Sequence, residues 1–138
     1  MSAVQRDYIE RMIEQFAQAI AQIVAAVRAG DFDLALITVR RTSDLVLGNL
    51  GAVMERLDAA SVVDLIGKHD IDRVRMYAAL LAEEGTIREL RGQIPRAQYC
   101  FGRALDLYNA ISLSGDQLRA ADWERMDMLR TKVEASSG

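Results

Sequence analysis

LRGQIPRAQYCFGRALDLYNAI, residues 90–111, contains a helix stop, a turn and a helix start in that order. Gly92 supplies the stop, because glycine adopts the left-handed conformation that closes a helix at little cost. Pro95, the chain's one proline, fits the first turn of the next helix, where its missing N–H loses no bond. The stretch therefore predicts a helical hairpin. Its incoming helix runs from about Ile71 to Arg91 with Val74, Tyr77, Ala78, Leu81, Ile87 and Leu90 on its apolar side, and its outgoing helix reaches about Ser112.

The same grammar recurs upstream. Ile9, Ile13, Phe16, Ile20, Ile23 and Val27 step by three or four residues and form one stripe of a helix from about Arg6 to Ala29, widened by Tyr8, Met12 and Val24. Gly30 ends it, and a second helix from about Phe32 to Leu47 offers Leu34, Ala35, Val39, Leu45 and Val46 for burial. Sliding the chain by 62 residues lays Gly30 on Gly92, Phe32 on Ile94, Ala35 on Ala97 and Val39 on Phe101, with Arg41, Asp44 and Leu45 on Arg103, Asp106 and Leu107. This pattern reads as a duplicated helix-turn-helix unit spanning about 6–47 and 71–112. Between the copies, glycines at 48, 51 and 67 predict short helices at 51–67 separated by turns, with Asp58 or Ser61 as a cap. Ser114–Gln117 reads as a capping box opening a last helix over about 116–133. Residues 1–138 are thus expected to form a single all-α domain, a compact set of five main helices plus the short ones.

Residues 81–108 resemble a tetratricopeptide repeat. Gly85, Gly92, Ala97, Phe101 and Ala104 occupy that pattern's small and aromatic places, and Ile94 stands where an aromatic is usual. Leu81, Arg88 and Asn109 depart from it. In the first copy Gly30, Phe32 and Ala35 fit, while Ile23 and Thr42 replace small residues. From DYIERMIEQ onward the chain is also similar to an uncharacterised bacterial family with a tetratricopeptide-like fold, a likeness that implies architecture and no chemistry. Tandem repeats of this kind recur at about 34 residues, so the 62-residue spacing implies a compact fold and not an extended solenoid. The resemblance also implies a concave face on the first helix of each copy, at Ala17, Ile20, Ala21, Val24 and Val27 and at Ala79, Ala82, Glu83, Thr86 and Glu89. The basic and asparagine residues that clamp a peptide carboxylate in such proteins are missing.

Composition narrows the chemistry. Seventeen basic and 20 acidic residues give a net charge of −3, with none of the clustered basic surface that nucleic-acid binding needs. The densest basic group, Arg88, Arg91, Arg96 and Arg103, is interleaved with acids and reads as a solvated face. The sole cysteine, Cys100, cannot pair within the chain, so a reducing, cytoplasmic setting is expected. No secretory signal is expected either, since charges interrupt the N-terminal stretch. The run Phe16–Val27 is too short and too polar to span a bilayer, and Glu10, Glu14, Gln18 and Gln22 are wrong for a membrane-surface helix.

No catalytic constellation emerges. His69, the only histidine, flanked by Asp70 and Asp72, makes a poor metal site alone and reads as a polar turn residue before a helix. Cys100 lacks a nearby base and reads as a packed thiol. The acidic helix residues lack the Glu-x-x-His motifs of a di-iron bundle, and Gly48 and Gly51 lack the lysine of a phosphate loop. Neither a cofactor nor a metal is therefore expected, and no enzymatic activity. The expectation is a non-catalytic protein–protein interaction or scaffold module, able to self-associate as a homodimer, with no nucleic-acid or membrane partner. Its candidate partner or dimer surface is Ile20, Val24 and Val27. The alternative is a small-ligand or enzymatic bundle whose pocket the sequence does not reveal.

Overall fold

A computed structural model describes residues 2–116 and 118–137. The described residues are helical and carry no strand: α1 (Ala3–Arg28), α2 (Phe32–Leu47), α3 (Leu50–Arg56), α4 (Ala59–Val62), a π-helical segment (Val63–Gly67), α5 (Lys68–Leu90), α6 (Ile94–Leu113) and α7 (Ala120–Ser137). The five long helices match the number expected. The helical hairpins are α1–α2 and α5–α6, and α7 packs on α6.

The two hairpin turns are built alike. Gly30 and Gly92 have φ of 76° and 77°. Around Gly30, its N–H bonds Val27 O and the Asp31 N–H bonds Ala26 O; around Gly92, its N–H bonds Glu89 O and the Gln93 N–H bonds Arg88 O. These are the paired bonds of a Schellman stop, which satisfy carbonyls that a helix end would otherwise leave free. Every partner in one turn lies 62 residues from its counterpart in the other, the offset of the sequence self-match. Ala35 and Ala97, one turn inside the outgoing helices, are both fully buried, and their small side chains let each hairpin close.

The second hairpin forms the heart of the core. Phe101 is fully buried and lies where the facing helix has no side chain: a Cβ placed on Gly85 would stand 2.6 Å from its ring. Leu107, Tyr108 and Ile111 from α6 join Met126 and Leu129 from α7, and Met54, Val62 and Val63 from the intervening short helices, in the main cluster. A smaller cluster of Ile23, Ala26, Ala35, Val39, Leu80 and Ile87 joins the first hairpin to α5.

Several expectations change. Leu34 and Leu45 are exposed, as is Leu90. The buried stripe of α2 is Ala35, Val39, Thr42 and Val46, and Leu34 and Leu45 lie roughly a quarter-turn off it; Leu90 is the last residue of α5, at the hairpin tip. Helix α1 starts at Ala3, because Ser2 and Gln5 form a capping box. Gly48 does make a turn, but Gly51 lies inside α3 and Gly67 inside the π-helical segment, which runs directly into α5. His69 is accordingly an exposed residue of α5, next to a kink at Asp70 (φ −152°, ψ 50°), and not a turn residue. Asp58 caps α4 by accepting from the Ser61 N–H. The last helix begins at Ala120, not near 116. Gln117 of the expected capping box lies outside the described residues, and the Ser114 hydroxyl instead donates to Ile111 O at the end of α6. Arg103 is not solvated: its Nη2 donates to Met54 O and Leu57 O, both at 2.6 Å. It thereby satisfies carbonyls at the end of α3 that the helix cannot satisfy itself.

Candidate functional site: a groove between α1, α5 and α7

Helix α7 runs in the same direction as α5, because Asp122 lies by Arg75 and, further along both helices, Lys132 pairs with Glu89. With α1 on the other flank, they bound a groove of about 270 Å³. Its α1 wall is Ile13, Phe16, Ala17 and Ile20, and its floor is Met76 and Ala79 of α5. Ala121 opens the α7 wall. Ala17, Ala79 and Ala121, one on each helix, keep the trough smooth enough for another backbone to lie close.

One end of this apolar trough is charged. Arg75 Nη1 donates to Asp72 at 2.8 Å and its Nε lies 3.7 Å from Asp122. Arg119 Nη2 is 3.5 Å from Asp72, and the Arg119 N–H donates to Asp122. Asp122 is 6% exposed, and these partners are what make a carboxylate tolerable there. Arg125 completes the end. Behind it, burial pushes the Glu83 carboxyl above the usual carboxylate range, with Arg125 opposing the shift. Burial likewise pushes up the Tyr108 hydroxyl, again against Arg125. Among the charged residues that line this end, Arg75, Arg119 and Arg125 stand against Asp72 and Asp122, so guanidinium groups outnumber carboxylates three to two there.

Glu83 makes a testable contribution to stability. A carboxyl whose folded pKa is raised favours the native state fully below its ordinary value of 4.5, and that advantage disappears as pH rises through the folded value. Glu83→Gln should therefore melt above the wild type at pH 7, and the gap should close on titration to below pH 4.5. A melting difference independent of pH would contradict this assignment.

Of the sequence-nominated surface residues, Ile20 and Val27 are half-buried against the smaller core cluster. Val24 is half-buried on α1, and only Ile20 of the three also lines the groove. Of the positions that the repeat resemblance points to, Ala17, Ile20 and Ala79 line the groove. Ala82 is buried and Glu89 is paired with Lys132 of α7, so α7 covers that end. Met76, Asp72, Arg75 and the whole α7 wall were not legible, because they depend on where α7 docks. Cys100 is fully buried, and burial, with Glu84 beside it, pushes its thiol up to about 12, which holds it in the inert protonated form. Among the described residues no group of three or more His, Cys, Asp or Glu is placed to hold a metal, and no helix is long and apolar enough to cross a membrane. Compared with known proteins, the chain matches no family model, no curated protein and no solved structure.

Proposed function

We propose that the chain is a tetratricopeptide-like docking module whose α1–α5–α7 groove receives one amphipathic helix of a protein partner. The observation that carries this reading is a trough floored by small and apolar residues and closed at one end by a net basic rim. At about 270 Å³ it falls below the usual range of small-molecule pockets, roughly 300–1,000 Å³, and suits one or two anchoring side chains. Helix-in-groove recognition reads such anchors at i, i+3, i+4 and i+7. The rim of Arg75, Arg119 and Arg125 favours an acidic residue at the adjoining end of the docked helix. The tetratricopeptide resemblance supports the same face, since Ala17, Ile20 and Ala79 fall on it.

Selection of a displayed library of helical peptides on the purified chain tests this reading. Enriched peptides should share the apolar spacing and a terminal acid, and Ala17→Arg should weaken their binding about a hundredfold, by filling the trough and desolvating a charge there. Ala17 is exposed, so the variant should retain the wild-type helicity. No enrichment, or binders indifferent to Ala17→Arg, would overturn the proposal. A second copy of the chain as occupant would show instead as concentration-dependent association that Ala17→Arg abolishes, and that result too would overturn the partner-helix reading.

A further inference from the structure

On the other side of α5, helices α2, α3, α5 and α6 enclose a larger cleft of about 620 Å³, within the range of small-molecule sites. The Arg91–Asp33 ion pair at 2.8 Å joins the end of α5 to the start of α2. The two helices therefore run antiparallel, which sets Arg40 level with Glu84 and Asp44 nearer Leu80. The walls consequently carry charge of opposite sign at opposite ends. At one end Arg88 Nε and Arg96 Nε both lie 3.3 Å from a single oxygen of Glu84, and Arg40 faces them across the cleft. Three guanidinium groups against one carboxylate leave that end basic. The Arg96 side chain is 52% exposed and sits 5.1 Å from the Tyr99 ring centroid, which braces it.

Further along, Asp44 and Glu55 also line the cleft, and Glu55 lies near enough to Tyr77 to act on its hydroxyl. Among the described residues Arg40, Asp44 and Glu55 form no ion pair. Charges of both signs that line one cleft without pairing with each other are open to a ligand that carries both. Between the ends the wall is Leu47, Leu80 and Leu81. Arg96 touches Glu84 and Glu55 bears on Tyr77, and the seven residue steps of α5 between Tyr77 and Glu84 rise about 10 Å.

We propose that this cleft binds a dipolar small molecule, a carboxylate and an ammonium about 10 Å apart on an apolar spacer. Arg40 and Arg96 hold the carboxylate, Asp44 and Glu55 hold the ammonium, and Leu47, Leu80 and Leu81 pack against the spacer. The site lies apart from the α1–α5–α7 groove and stands whether or not that groove docks a helix.

Calorimetric titration of the full chain with straight-chain ω-amino acids tests it. 8-Aminooctanoate, whose extended chain is of matching length, should bind saturably. 4-Aminobutanoate, octanoate and octylamine, which lack the span or one charge, should each bind at least about tenfold more weakly. Arg40→Gln and Asp44→Asn, both exposed positions, should each weaken 8-aminooctanoate by about tenfold with unchanged helicity, and Ala17→Arg should leave it unaffected. Absence of saturable binding of 8-aminooctanoate, equal binding of octanoate or octylamine, or indifference to both cleft variants would overturn the assignment.

Discussion

Phe101→Ala should destabilise the chain by about 3–5 kcal/mol, the usual result of removing a fully buried aromatic ring without collapse of its site. For a domain of this size that amounts to a drop of roughly 10–20 °C in melting temperature, a large part of the typical reserve of about 5–15 kcal/mol. The ring is fully enclosed, with the Gly85 backbone on one side and the Lys132 ammonium 5.9 Å from its centroid on another. The same contact makes the effect of Gly85→Ala depend on residue 101. In the native chain the new Cβ meets two ring carbons at 2.6 and 2.7 Å, an overpacking worth about 1–3 kcal/mol. In the Phe101→Ala background the ring is gone and alanine is the better helix former, so the second substitution should be neutral or stabilising. Additive losses in thermal melts of the four variants of this cycle would contradict the packing described.

Arg103→Ala should cost roughly 2–3 kcal/mol, as expected for losing two part-buried hydrogen bonds from a charged donor. Its Nη2 is shared by Met54 O and Leu57 O, so the damage should concentrate in α3. Amide exchange should quicken over residues 50–57 well before it does in α5 or α6. Arg103→Lys should recover only part of the loss, because an ammonium on a flexible stem reproduces the planar donor poorly. Uniform loss of protection along the chain would show that Arg103 acts on global packing and not as the latch of α3.

The two substitutions also mark the boundary of what the sequence reveals. The hairpin turns are local: Gly30 and Gly92 specify them, and Ala35 and Ala97 announce the close helix approach, so both hairpins were legible by register. Burial beyond the hairpins is not local. Leu45 and Leu107 hold the same place in the two copies, yet Leu45 is 58% exposed and Leu107 fully buried. Helix α6 is covered by α4, the π-helical segment and α7, and nothing near Leu45 in sequence records that α2 lacks such cover. Arg103 misled for the same reason: its acceptors lie 46 and 49 residues away.

The groove divides along the same line. Ala17, Ile20 and Ala79 follow from helical register, whereas Ala121, Asp122 and Arg125 enter it through the docking of α7. That helix carries little apolar periodicity of its own and starts later than its apparent cap implied. The charged rim is tertiary where it matters: Arg75–Asp72 is local to α5, but the Asp122–Arg75 and Arg119–Asp72 contacts join it to residues 119–122.

Amide chemical-shift mapping of a peptide enriched on this chain tests the docking reading most directly. The largest shifts should cluster on Ala17, Ile20, Ala79, Ala121 and Arg125, with Arg40, Asp44 and Glu55 unmoved. Shifts confined to the cleft between α2 and α6, or to the exposed outer face of α2, would contradict it.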